Sequence, residues 1–205
     1  RAVLAAFSFA GYLKQNFWNT LMKSIQKAPL KAAQQKEKLI LKLFDTTLRD
    51  GGNVVGHGFS AELTVNIVEG LLSAGIQDIE LGNCKGIGAY EKLSATKALS
   101  DAEYFELLRP YADKGRLGMF VIASLADARA INAAADAGMT FLRVGANAGD
   151  GKSALDAIHM VKSAGLYCRY ALMKGYVLSP EELAEEAKLL QDAGADCVTI
   201  MDSAG

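Results

Sequence analysis

The chain has 205 residues, 51% of them hydrophobic, with 22 basic against 23 acidic side chains and a formal charge of -1. That length and apolar content suit one domain with a sizeable core, and the charge balance offers no electrostatic basis for holding nucleic acid. Three cysteines, Cys84, Cys168 and Cys197, stand at wide spacings with no Cys-x-x-Cys pair, which suits reduced thiols in a cytoplasmic protein better than a disulfide framework or a zinc site.

The first segment, "RAVLAAFSFAGYL", has the length of a signal-peptide core. It lacks a good small-x-small cleavage site, continues into the polar "KQNFWNT", and is too short to span a bilayer, so no membrane association is expected. Met22 opens "MKSIQKAPLKAAQQKEKLILKLF", which reads as a natural N-terminus, and its "KAAQQKEK" is a solvated, helix-prone lead-in. Residues 1–38 are expected to form an N-terminal helical extension and residues 39–205 the folded domain.

From residue 39 one phrase recurs, an amphipathic helix ending in a small residue plus Ala-Gly and then a short β-rich run. It appears as "LLSAGIQDIELG", "AAADAGMTFLRVG", "MVKSAGLYCRYALM" and "LLQDAGADCVTIMD". Glycines 75, 138, 165 and 194 fall where a helix C-cap calls for a left-handed residue. Ser60, Ser100 and Ser179 supply N-cap hydroxyls ahead of acids in the first turn, the last with Pro180 at the first helical position. Strands are expected near 40–46, 77–82, 117–123, 140–145, 167–172 and 196–201. They are mostly apolar runs, as befits parallel strands covered by helices.

Strands alternating with helices imply right-handed βαβ units and an α/β fold. An open doubly wound sheet and a closed (β/α)8 barrel compete. No glycine-rich phosphate fingerprint follows the first strand, since "RDGGN" is neither G-x-G-x-x-G nor a P-loop. Polar residues instead gather after strand ends, namely Arg49, Asp50, Glu80, Asn83, Arg143, Asn147, Asp202 and Ser203, which favours a TIM barrel. A whole barrel takes about 250 residues, and here the sequence stops after the sixth strand. An incomplete barrel from a truncated chain is expected.

The densest chemistry lies in "FDTTLRDGG": carboxylates for a hard cation, an arginine able to hold an enolate oxygen, and glycines that let backbone approach a ligand. The bland alternative is a structural Arg49–Asp50 ion pair with Asp45 capping a turn. Glu80, pointing into a barrel, needs a partner such as Arg49 or a ligand. Arg143, in an otherwise apolar strand, needs an acid or an anionic substrate. His57 lies on the loop after the charged motif, where it could overhang a site or simply be solvated. His159 sits inside a helix with a structural role, and no histidine pair exists to complete a two-histidine metal site. "GNCKGIG" is a weak anion-binding candidate because it does not directly open a helix.

Over about residues 39 to 205, "FDTTLRDGG", "IQDIELG", "FLRVGAN" and "VTIMDSAG" resemble, in order and strand position, the DRE-TIM metallolyase superfamily, and within it the 4-hydroxy-2-oxovalerate aldolases. The resemblance implies a divalent Mn2+ or Mg2+ ion ligated by Asp50, with Arg49 holding the 2-oxo group and stabilising the enolate. Glu80, Arg143 and Asp202 are implied to be substrate-facing groups or their supports. Asn53 stands where aldolases of this type carry an acid/base histidine, and His57 is its possible substitute. The family's two histidine ligands form a His-x-His motif on the seventh strand, beyond Gly205.

The implied reaction is cleavage of a 4-hydroxy-2-oxo acid to pyruvate and an aldehyde, with a homo-oligomer or an aldehyde dehydrogenase as partner. Two alternatives stand beside it: a Claisen-type synthase joining acetyl-CoA to a 2-oxo acid, and a degenerate barrel serving as a binding subunit.

Overall fold

Residues 42–56, 58–93 and 97–204 are described by a computed structural model; the expected extension over 1–38 lies outside them. Strand β1 (Phe44–Asp45) runs into two single-turn helices, α1 (Thr47–Asp50) and α2 (Gly52–Val55). Helix α3 (Ala61–Ser73), strand β2 (Asp78–Glu80) and helices α4 (Ala89–Leu93) and α5 (Asp101–Leu108) follow. The second half alternates strictly: β3 (Arg116–Ile122), α6 (Ala128–Asp136), β4 (Phe141–Asn147), α7 (Leu155–Ser163), β5 (Tyr167–Met173), α8 (Pro180–Asp192) and β6 (Cys197–Ile200).

The helices begin and end on local chemistry. Ser60 accepts the Leu63 N–H, while Ser100 with Glu103 and Ser179 with Glu182 close reciprocal capping boxes, the latter with Pro180 at the first helical position. Glycines 75, 138, 165 and 194 all have positive φ at the helix ends. β1 ends at Asp45, one residue before the end of the expected 40–46, for a local reason. Asp45 accepts from the Thr47 N–H at 3.0 Å and from the Thr47 hydroxyl at 3.1 Å, and this side-chain turn ends the strand.

All six strands are parallel, in the order β1-β2-β3-β4-β5-β6. A doubly wound sheet reverses its strand order at a switch point, and this one never does. Right-handed crossovers stepping always the same way put the connecting helices on one face and curl the sheet. The result is an incomplete (β/α) barrel.

Strand alternation divides the side chains. Leu117, Met119 and Val121 of β3, Leu142 and Val144 of β4, and Cys168, Tyr170 and Leu172 of β5 join the apolar core under the helices. The concave face receives the alternate set, including Asp78, Glu80, Phe120, Phe141, Arg143 and Arg169. Two glycines make room for its rings: a Cβ on Gly118 would lie 2.5 Å from the Phe141 ring, and one on Gly145 would lie 2.4 Å from the Phe120 ring. No described helix is long and apolar enough to cross a membrane.

Candidate active site

β2 carries two acids, Asp78 and Glu80, two residues apart and so on one face of the sheet. Each is clasped by two arginines. Arg143 of β4 donates from Nε to Glu80 Oε2 and from Nη2 to Oε1, both at 2.6 Å. Arg49 of α1 donates from Nε to the same Oε1, again at 2.6 Å. Towards the strands' N-terminal ends, Asp78 accepts from Arg116 of β3 and from Arg169 of β5, the latter at 2.7 Å. The Phe120 ring packs against both upper guanidinium groups, 4.8 Å from Arg49 Cζ and 5.3 Å from Arg143 Cζ.

Burial is nearly complete here: Glu80 is 0%, Arg143 4% and Arg49 7% exposed. Desolvation pushes the Glu80 carboxyl up, but the charges and hydrogen bonds of Arg143 and Arg49 outweigh it and hold the group below the ordinary carboxylate range. Asp78 follows the same balance, with burial opposed by Arg116 and Arg169. Both acids are ionised counter-charges. The partnership of Glu80 with an arginine, weighed above as one of its two readings, occupies both of its oxygens.

Asp50 sits at the mouth, its side chain 58% exposed. Its Oδ1 accepts from Arg49 Nη1 at 2.9 Å and from Asn53 Nδ2 at 3.3 Å. Asn53 also donates to the Asp50 carbonyl at 3.0 Å. The amide at the position where the resembled aldolases carry a histidine therefore serves the neighbouring carboxylate. His57 lies outside the described residues. Asp202 follows β6 and accepts the Ala204 N–H at 3.1 Å, which places it at the same end of the sheet without a bond to the Arg49–Glu80–Arg143 cluster. Asn83 is committed elsewhere, donating to the Leu99 carbonyl and to Asp101. The "GNCKGIG" loop already has an anion, since the Gly88 N–H donates to Asp101 Oδ2 at 2.7 Å. His159 is exposed on α7.

Five participants escaped sequence reasoning: Asp78, Arg116, Arg169, Phe120 and Met201. For Asp78 the clue was present, because acids at positions 78 and 80 of one strand must share a face. Phe120 needed the register that sets it opposite Arg143. Met201, whose Sδ receives Arg143 Nη1 at 3.6 Å, needed the third dimension.

A divalent cation requires hard oxygen ligands. Asp50 fits in kind: it is exposed, and among the described residues its Oδ2 has no hydrogen-bond partner. No group of three or more His, Cys, Asp or Glu side chains is gathered among the described residues.

Six parallel strands in sequential order with helices between them define the (β/α) barrel class, here incomplete. The chain belongs to the HMGL-like family, whose model matches residues 40–205. It is 32% identical over 165 residues to the 4-hydroxy-2-oxovalerate aldolase of Carboxydothermus hydrogenoformans, covering 80% of this chain and 49% of that one. It is 34% identical over 163 residues to 4-hydroxy-2-oxovalerate aldolase 2 of Nocardia farcinica, covering 80% and 47%. The chain thus spans about half the length of the curated relatives it matches. Among solved structures, the carboxyl transferase domain of Rhizobium etli pyruvate carboxylase with pyruvate superposes at TM-score 0.63 and 16% identity, over 100% of this chain and 38% of that one. At that identity the likeness is one of fold.

Proposed function

We propose that the full protein is a divalent-metal-dependent carbon–carbon lyase that cleaves a 4-hydroxy-2-oxo acid to pyruvate and an aldehyde. The observation that carries this is the adjacency of Arg49 and Asp50 at one strand end, with Arg49 pinned from behind by the buried Glu80. The names of the similar aldolases support the same reaction.

Arg49 spends Nε on Glu80 and one Nη1 proton on Asp50, and among the described residues its Nη2 has no partner. Those remaining N–H groups are available to the oxygen on which charge grows when the bond between C3 and C4 of the substrate breaks and its electrons move to the 2-oxo group. Glu80 and Arg143 act through Arg49: a guanidinium fixed on one edge loses little freedom when its other edge takes up an oxyanion. A divalent ion held by Asp50 would polarise the 2-oxo group.

The proton chemistry falls to a different group, because the Asn53 amide cannot take up a proton near neutral pH. His57, four residues further on, is the proposed carrier. The two arginines and two carboxylates of the cluster cancel, so a dication would bring the positive charge that a pyruvate enolate, with its carboxylate, requires. The test is pyruvate release from 4-hydroxy-2-oxo acids of several chain lengths by the full-length protein, with and without Mn2+ or Mg2+. No release from any of them defeats the proposal, and thiol release from acetyl-CoA in the same preparation would assign the protein to the synthases instead.

A further inference from the structure

We propose that Met201 is a specificity-determining residue that makes the site favour 2-oxo monocarboxylates over 2-oxo dicarboxylates, by covering the Nη1 end of the Arg143 guanidinium. The inference rests on the 2-oxo acid reading above.

Two of the five N–H groups of Arg143 are committed to a carboxylate, and its faces are covered by rings. Nε and Nη2 are bound to Glu80, and the rings of Phe44 and Phe120 pack against it, 5.5 and 5.3 Å from Cζ. The second Nη2 N–H and both N–H groups of Nη1 have no oxygen acceptor among the described residues, and Nη1 meets the Met201 sulfur at 3.6 Å. A thioether is a weak acceptor, whereas a carboxylate makes a charge-assisted bond to a guanidinium. The methionine therefore covers Nη1 against solvent without satisfying it strongly.

Met201 is also held in place. Its N–H donates to the Leu172 carbonyl and its carbonyl accepts the Gly175 N–H, each at 2.9 Å, so only its side-chain torsions can uncover Arg143.

The two arginines lie close together. Arg49 Nε and Arg143 Nη2 are each 2.6 Å from the same Glu80 oxygen. A substrate whose 2-oxo group meets Arg49 has Arg143 within reach of a short chain. With Met201 removed, a second carboxylate on that chain would find an unspent N–H in a water-poor setting, where such a bond is strong. With Met201 present, that carboxylate meets a thioether and must either displace it or be buried without a partner, which is costly. Discrimination here works by withholding a donor from the wrong substrate.

The experiment uses the full-length protein loaded with Mn2+ and measures dissociation constants by calorimetry for pyruvate, 2-oxoglutarate and the 5-methyl ester of 2-oxoglutarate. In Met201→Ala, 2-oxoglutarate should gain about tenfold or more relative to pyruvate, the effect of one charge-assisted hydrogen bond, while the ester should not. Met201→Leu, which keeps the volume, should retain the wild-type preference. An unchanged ratio in Met201→Ala with pyruvate still bound overturns the inference. An equal gain by the ester overturns it too, because the effect would then be one of space. Failure of the wild type to bind pyruvate removes the 2-oxo acid reading itself, and the inference with it.

Discussion

Replacing Glu80 by glutamine tests the central clasp. Three N–H groups converge on the two oxygens of this carboxylate at 2.6 Å. Glutamine keeps one acceptor oxygen and turns an NH2 group towards arginines that can only donate. Two guanidinium groups then remain buried, and only Arg49 keeps a carboxylate neighbour, the solvent-exposed Asp50. Removing one partner of a buried ion pair costs about 3–5 kcal/mol, a large share of the 5–15 kcal/mol typical of a domain. Guanidinium chloride unfolding of the full-length protein at pH 7 should show that loss.

The pH dependence has a defined sign. Glu80 titrates below its ordinary value of 4.5 in the folded state. Between the two values the unfolded chain takes a proton that the folded chain refuses, so stability falls as pH drops through that window and is level above it. Glutamine lacks this titration, and the gap between wild type and variant should narrow below pH 4.5. A loss under about 1 kcal/mol at pH 7, the range of a surface pair, or a gap that does not change on acidification, would refute the reasoning.

Asn53→Ala frees Asp50 Oδ1 of one donor and should weaken Mn2+ binding about tenfold by calorimetry, as loss of a group supporting a metal ligand does, with unfolding changed by less than about 0.5 kcal/mol. Gly145→Ala drives a methyl group into the Phe120 ring; it should cost about 1–3 kcal/mol, and Phe120→Leu in the same chain should recover part of that loss in a double-mutant cycle. Arg49→Lys keeps the charge but loses the fork that reaches Glu80 and an oxyanion together; pyruvate release should fall far more in turnover than in substrate affinity. Ser179→Ala removes the capping box of α8 and should cost about 1 kcal/mol in melting.

The repeat of helix, Ala-Gly and apolar run was visible in the sequence because its punctuation is local: a capping hydroxyl, a left-handed glycine and a run of β-formers act within a few residues of where they stand. Arg49, Asp50, Glu80 and Arg143 could be singled out for the same kind of reason, since a charge in an apolar strand demands an explanation wherever it occurs. The division of labour among them was less readable. Whether Glu80 faced a ligand or an arginine depended on the register of β2, β3 and β4, and the attachment of Asn53 to Asp50 depended on two single-turn helices, α1 and α2, too short to leave a periodic pattern. β1 itself ended at Asp45 because that aspartate accepted a backbone N–H two residues on.

The Glu80 clasp has a kinetic consequence. Its bonds to Arg49 and Arg143 close loops of 31 and 63 residues. Contacts so distant in sequence form only after the intervening strands have aligned, since the entropy of closing those loops must be met first. The upper part of the site is thus expected to assemble in the late steps of folding. A partly folded chain could contain native helices and correctly capped turns while Arg49 still swings free, so the appearance of ligand binding during refolding would mark completion of the sheet.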